Sequence, residues 1–153
     1  DEVSSPSPAL AALAAINTSR PDGPPRLLIA KPGLDGHSNG AEQVSVAARD
    51  GGLDVAYDGI RVTPEEIAHA AVEHRAEMVA VSILSGAHMQ LVPQVMTALN
   101  AAGVDVPVVV GGIIPEDDQR HLADMGVVRV YTPKNYELAE IVKDMTAIIT
   151  ERR

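Results

Sequence analysis

A histidine in a glycine-rich loop is the residue of this chain best suited to bind a metal ion. His37 follows an apolar run at residues 26–30 and stands two positions after Asp35, with Gly36 between them. A neutral imidazole is a good ligand for a transition metal, and its second ring nitrogen usually donates to a carboxylate. We therefore expect Asp35 to orient the His37 ring and Lys31 to pair with Asp35, which limits the pull on the imidazole proton. The alternative is a simple turn in which His37 is exposed or caps a helix.

Short apolar runs and helical periodicities alternate along the chain after Pro25. Runs bounded by Gly, Pro or Ser predict strands, and apolar residues three and four apart predict helices. One helix start is explicit, because Thr63, Pro64 and Glu66 form the pattern of an N-cap, a first-turn proline and a capping box. The predicted strands cover residues 26–30, 53–57, 77–83, 106–110 and 127–131, and the predicted helices cover 41–49, the segment from 64, 90–102, 116–125 and 136–150.

Five strands that alternate with five helices predict a doubly wound parallel sheet with helices on both faces, an α/β fold. At this length the flavodoxin-like (Rossmann-like) strand order 2-1-3-4-5 is favoured. In that order a ligand binds at the carboxyl ends of strands 1 and 3, where the winding direction reverses. The loops after Ala30, Ile83, Val110 and Tyr131 should therefore meet at one edge of the sheet.

The composition sets the domain organisation and excludes several classes of function. The chain has 153 residues, enough for one domain. Residues 1–25 are rich in Ser, Pro and Ala and predict a linker or N-terminal extension with at most one short helix over Pro8–Asn17, so the domain is expected over 26–153. A net charge of −9 without Phe or Trp argues against a nucleic-acid binder.

Three features that the sequence lacks restrict its possible chemistry and its cellular location. The chain has no cysteine, which excludes thiolate catalysis and Cys-ligated metal centres. It has no apolar run near the roughly 20 residues of a membrane span. Its first residues lack the basic flank of a signal peptide, so a cytoplasmic protein without a membrane partner is expected.

Three motifs in the predicted loops resemble the signature of cobalamin-binding domains. Residues 35–40 (Asp-Gly-His-Ser-Asn-Gly) match Asp-x-His-x-x-Gly, residues 82–84 match Ser-x-Leu, and Gly111-Gly112 match the Gly-Gly marker. Residues 30–43, 82–88, 111–116 and 131–134 are similar to acyl-CoA mutases of the methylmalonyl-CoA mutase family, and most to ethylmalonyl-CoA mutase-like members. The loop at residues 131–135 departs from the Gly-Pro-Gly-Thr pattern of methylmalonyl-CoA mutases, which leaves the acyl-CoA substrate open.

The resemblance implies a cofactor and its binding residues. The cofactor is adenosylcobalamin, bound with its own base off the cobalt and with His37 as the axial cobalt ligand. The detached nucleotide tail enters a narrow space between the sheet and its helices, where small residues admit it. No catalytic residue is implied beyond tuning of the cofactor by Lys31 and Asp35. The implied cofactor-binding residues are Asp35, Gly36, His37, Ser38, Asn39, Gly40, Ser82, Leu84, Ser85, Gly86, Gly111, Gly112, Tyr131 and Thr132.

The resemblance also implies an activity and a partner. The activity is a radical isomerisation of an acyl-CoA carbon skeleton, and the acyl-CoA binds in a (β/α)₈ barrel that is a separate subunit or domain. This chain is too short to contain a barrel, so it is expected to be inactive alone. A methyl-group carrier or a cobalamin-dependent regulator is the alternative. The individual motifs also have simpler explanations. Gly111-Gly112 could form an ordinary tight turn, and Ser82 could only hydrogen-bond to nearby backbone groups.

Overall fold

The fold is taken from a computed structural model that describes residues 7–32, 39–83, 88–132 and 137–153. Within these residues the chain forms six helices and five strands. All strand pairs are parallel, and the sheet order is β2-β1-β3-β4-β5. The predicted flavodoxin-like fold is confirmed. The elements are α1 (Pro8–Asn17), β1 (Arg26–Pro32), α2 (Asn39–Asp50), β2 (Asp54–Val62), α3 (Pro64–His74), β3 (Met78–Ser82), α4 (His88–Ala101), β4 (Val108–Gly111), α5 (Glu116–Asp124), β5 (Arg129–Tyr131) and α6 (Leu138–Glu151).

All five strands differ by one or more residues from their predicted bounds, and β2 differs most. β4 begins at Val108 rather than at residue 106, because Pro107 has no N–H to donate to a neighbouring strand. β2 continues to Val62, and its pairing with β1 shifts register after Ile29. The start of α3 is as predicted: the Thr63 hydroxyl accepts from the Glu66 N–H at 3.1 Å, and the Glu66 carboxylate accepts from the Thr63 N–H at 2.8 Å.

The two faces of the sheet carry two separate cores. Because side chains alternate along a strand, Leu27 and Ile29 of β1 pack with α1, α2 and α6, whereas Leu28 and Ala30 pack with α3, α4 and α5. All four are almost fully buried. Strands covered on both faces are expected to be continuously apolar, which is why these runs were recognisable in the sequence.

The first helix packs on the α2 and α6 side of the domain. Leu10 is buried, and the Asn17 side-chain amide donates to the Gly51 carbonyl at 2.9 Å. Ala14 lies against Gly52, where an added Cβ would be 2.8 Å from the Ala14 Cα. The predicted short helix is therefore present and in contact with the end of α2. The division into residues 1–25 and 26–153 stays a prediction.

An ion pair at the amino edge of the sheet joins the last residue of the chain to the start of β3. The Arg153 guanidinium donates to both carboxylate oxygens of Glu77 at 2.8 and 2.7 Å and to the Gly23 carbonyl at 3.0 Å. The Arg26 N–H also donates to Glu77, at 3.1 Å. The hydrogen bond from Arg153 is the main reason that the pKa of Glu77 lies below its ordinary value.

Replacing Glu77 by glutamine should lower the free energy of unfolding by about 1 kcal/mol at neutral pH, since the pair is partly solvated. The melting temperature should fall by about 2–4 °C. A carboxylate with a depressed pKa stabilises the fold above its unfolded pKa, and this contribution is lost as the pH falls through the folded pKa. The difference between Glu77→Gln and wild type should therefore vanish in acid, which urea unfolding between about pH 7 and pH 3 would measure.

The matched control for this prediction is Glu73→Gln. The Glu73 carboxylate also lies near a side-chain nitrogen, 3.3 Å from His69 Nε2, but both side chains are well exposed, so little change is expected. Equal stability of Glu77→Gln and wild type at pH 7 would show that the pair of Glu77 and Arg153 contributes nothing to the free energy of unfolding.

Candidate functional site

Several of the predicted site residues lie side by side at the carboxyl edge of the sheet. Ser82 at the end of β3 is in register with Gly111 at the end of β4, and Gly111 is in register with Tyr131 at the end of β5. Thr132 follows Tyr131 directly, and Gly40 lies in the first turn of α2. The expectation that these loops meet at one edge is thus met by their described residues.

A cavity of about 660 Å³ opens at this edge, between α2 and α6 and over the central strands. We call it the carboxyl-edge cavity. Its volume lies within the range of roughly 300–1,000 Å³ found for small-molecule and cofactor sites, and most of its lining is apolar. The residues that line it are Ile29, Gly40, Ala41, Gln43, Val44, Ala80, Val81, Ser82, Ile83, Val109, Gly111, Gly112, Ile113, Tyr131, Thr132, Glu137, Leu138, Ile141 and Met145.

Small residues on one face of β3 and β4 leave the space for this cavity. Alternation places Ala80 and Ser82 on the face turned to α2 and α6, while Val81 between them packs in the other core. Gly111 continues that face on β4. A Cβ built on Gly111 would meet only the Tyr131 carbonyl, at 3.8 Å. A larger side chain at any of these positions would fill the cavity from below.

The second glycine of the pair has a different role. Gly112 has φ +151, and a Cβ on it would lie 2.1 Å from the Ile83 carbonyl oxygen. The Gly112 N–H donates to the Tyr131 carbonyl at 3.1 Å, and the Ile83 N–H donates to the Gly111 carbonyl at 3.1 Å. The absence of a side chain therefore lets the ends of β3, β4 and β5 meet. Gly111-Gly112 does more than form a tight turn.

One buried hydroxyl beside the cavity lacks a partner among the described residues. Thr132 is 8% exposed, and its Oγ1 makes no hydrogen bond there. An unsatisfied buried hydroxyl costs about 1–3 kcal/mol, so such groups usually bond to protein, water or ligand. A mostly apolar cavity with Thr132 at its wall and the Ser82 side chain on its floor suits a largely aromatic ligand group that carries a few polar atoms.

The first predicted loop is described only at its two ends. Lys31, near the end of β1, is 1% exposed, and alternation places its side chain on the α2 side of the sheet. A charged amine at such a position requires compensating polar contacts. Asn39 and Gly40 begin α2. The predicted residues Asp35, Gly36, His37, Ser38, Leu84, Ser85 and Gly86 lie outside the described residues, so cobalt ligation by His37 stays a prediction.

No group of three or more His, Cys, Asp or Glu side chains in the described part of the chain could hold a metal ion. No helix there has the length and apolar content needed to cross a membrane.

Thirteen of the 19 residues that line the cavity were not predicted as site residues. Ile141 and Met145 of α6 were expected only from their helical periodicity, and Val109 only as part of a strand, yet all three line the cavity. The available signal was Ala80, a small residue two positions before Ser82 in a strand otherwise rich in valine. Its small side chain leaves space on the face turned to α2 and α6.

Comparison with known proteins identifies the family and relatives of this chain. Residues 25–142 match the model of the B12 binding domain family. The chain is 52% identical to the ethylmalonyl-CoA mutase of Cereibacter sphaeroides over 126 residues, which are 82% of this chain and 19% of that protein. It is 39% identical to the 2-hydroxyisobutanoyl-CoA mutase small subunit of Aquincola tertiaricarbonis over 108 residues, which are 70% of this chain and 79% of that subunit.

A solved structure agrees in fold. A cobalamin-binding protein from Desulfitobacterium hafniense DCB-2 superimposes with a TM-score of 0.69 at 22% identity, covering 80% of this chain and 58% of that one. At this identity the likeness concerns the fold alone. The chain spans about a fifth of the length of the ethylmalonyl-CoA mutase that it matches. The family match and the sequence identities together show that the chain belongs to the B12 binding domain family and is homologous to the corresponding segments of acyl-CoA mutases.

Proposed function

We propose that this chain binds adenosylcobalamin as the cofactor domain of a radical acyl-CoA mutase of the ethylmalonyl- or methylmalonyl-CoA type. The observation that carries the proposal is the carboxyl-edge cavity. It is mostly apolar, it has room for a benzimidazole nucleotide, and it is lined by Ser82 and Ile83 of the first motif, by Gly111-Gly112 and by Thr132. Those properties suit the nucleotide tail of cobalamin once its base has left the cobalt.

The proposal assigns a role to each group of residues. Ser82, Gly111 and Thr132 would hold the tail, and His37 would be the lower ligand of the cobalt. Asp35 and Lys31 would fix the tautomer and basicity of His37. When bound, adenosylcobalamin supplies reversible hydrogen abstraction by a carbon-centred radical. The residues of this chain bind and orient the cofactor.

The acyl-CoA is proposed to bind to a partner. The ethylmalonyl-CoA mutase relative is about five times as long as the matched segment, so a further catalytic domain accompanies the B12 domain there. The small-subunit relative shows that a chain of this kind can also be a subunit. We propose a (β/α)₈ barrel, as a subunit or domain, that covers the upper face of the corrin. The cytoplasmic location stays a prediction.

Two experiments test the proposed function in sequence. The purified chain is first titrated with adenosylcobalamin, and the absorption spectrum should change to the form in which benzimidazole has been replaced by histidine. The loaded chain is then combined with a barrel subunit, and acyl-CoA isomerisation is measured. Binding without isomerisation would favour a methyl carrier or regulator. Absence of binding would reject the proposal as a whole.

The substitution Thr132→Val should weaken cobalamin binding by about tenfold, because it removes one hydrogen bond to the tail. Binding of cobinamide, a corrinoid without the nucleotide tail, should not change. Both affinities are measured by spectroscopic titration. The matched control is Thr146→Val, since the Thr146 hydroxyl is also buried but donates to its own helix at Val142 (2.8 Å). Equal cobalamin affinity of Thr132→Val and wild type would show that the hydroxyl does not contact the tail.

A further inference from the structure

A carboxylate on α6 holds two side chains of β5. The Tyr131 hydroxyl donates to the Asp144 carboxylate at 2.7 Å. The Arg129 guanidinium donates to the same carboxylate at 2.9 and 3.5 Å. Arg129 and Tyr131 are two residues apart on the strand, so both project from the same face. We call these three residues the β5–α6 latch.

The latch joins two elements that form one wall of the carboxyl-edge cavity. Tyr131 lines the cavity and is 5% exposed, and its ring packs in the same core as Val109 and Met145. Asp144 is adjacent to Met145 and one turn from Ile141, both of which line the cavity from α6. The distance between β5 and α6 and the orientation of the Tyr131 ring therefore set the width of the cavity.

The strand that the carboxylate contacts is short. β5 has three residues and lies at the edge of the sheet, paired through its backbone with β4. Charge-assisted hydrogen bonds are roughly twice as strong as neutral ones, and a buried phenol needs a partner for its hydroxyl. The two donors on one carboxylate therefore help to position β5 against α6, and the bond from the buried Tyr131 hydroxyl should contribute more than the partly exposed pair with Arg129.

We propose that Asp144 is a positioning residue for the cobalamin tail: through Tyr131 and Arg129 it keeps the wall of the carboxyl-edge cavity in the geometry that admits the nucleotide. The proposal rests on the proposed function, since it assumes that the tail enters this cavity. Asp144 lies beside the inner part of the wall, one to two turns from Leu138 at the exposed start of α6. Its influence should therefore fall on the tail rather than on the corrin ring.

The test compares cobalamin with cobinamide, which shares the corrin but has no tail. Asp144→Ala should weaken cobalamin binding by about tenfold and change cobinamide binding by less than about twofold. Asp144→Asn should bind cobalamin more tightly than Asp144→Ala, because its amide oxygen can still accept from the Tyr131 hydroxyl. Tyr131→Phe, which keeps the ring and loses the hydroxyl, should act in the same direction as Asp144→Ala. If Asp144→Ala does not fold, the affinities of Asp144→Asn and Tyr131→Phe are compared with those of wild type instead.

Glu77→Gln is the matched control for a purely structural effect. It removes the carboxylate that pairs with Arg153 at the opposite edge of the sheet. It should therefore lower the free energy of unfolding without changing the ratio of the cobalamin affinity to the cobinamide affinity. An unchanged ratio in Asp144→Ala and Tyr131→Phe, with wild-type cobalamin binding intact, would overturn the inference alone. Failure of the wild type to bind cobalamin would reject the proposed function and this inference with it.

Discussion

Replacing Gly112 by alanine should destabilise the fold and weaken cobalamin binding together. The new Cβ would lie 2.1 Å from the Ile83 carbonyl oxygen, and φ +151 is strained for any residue with a side chain. Backbone strain and overpacking against a rigid strand end should together cost about 3–5 kcal/mol. That is a large share of the roughly 5–15 kcal/mol by which domains are stable. Thermal unfolding should show a melting temperature lower by about 10 °C.

The chain offers a control that separates the contact from the backbone angle. Gly103 also has a positive φ, of +74, but a Cβ there would meet nothing within 4 Å. Gly103→Ala should therefore cost about 1 kcal/mol, from backbone strain alone, and leave cobalamin binding intact. If Gly112→Ala were no less stable than Gly103→Ala, the close approach of β3 and β4 would not be the reason for this glycine.

Replacing His37 by alanine should remove the protein ligand from the cobalt. Loss of a group that merely orients a ligating histidine typically costs about 10–100-fold in affinity, so loss of the ligand itself should cost more than about 100-fold. Any cobalamin that still binds should keep its own benzimidazole on the metal or have water in its place. Absorption spectra and affinities of the variant and wild type measure both effects.

His121→Ala is the control for a general effect of losing a histidine. His121 lies on the exposed side of α5, and its removal should change neither the spectrum nor the affinity. A wild-type spectrum for the His37→Ala complex would show that another group is the lower ligand.

The fold was predictable because its signals are local and repeated. Buried strands such as Val108–Gly111 are continuously apolar, and helix starts such as Thr63–Glu66 have a capping pattern that depends on a few adjacent residues. Once strands and helices alternate, the handedness of the crossovers leaves few possible sheet orders. The same order then places Ser82, Gly111 and Tyr131 at one edge.

The cavity wall was less predictable, because it depends on which long-range neighbours face each other. Met145 and Ile141 have the periodicity of any buried helix face, and only the packing of α6 against the sheet shows that part of this face lines a cavity. The reason for Gly112 depends on a contact with Ile83, 29 positions earlier in the chain. The hydrogen bonds that Asp144 accepts from Arg129 and Tyr131 likewise join a half-buried helix position to a strand.

Cobalt ligation by His37 is tested most directly by electron paramagnetic resonance of the cobalt(II) form of cobalamin bound to this chain. The unpaired electron lies along the axis of the lower ligand, so the nucleus of the coordinated nitrogen splits each line, into a triplet for nitrogen-14 and a doublet for nitrogen-15. With protein labelled only at histidine with nitrogen-15 and an unlabelled cofactor, we expect doublets, and we expect His37→Ala to abolish them. Triplets in the labelled wild-type complex would mean that the benzimidazole is still on the cobalt, which would contradict ligation by His37.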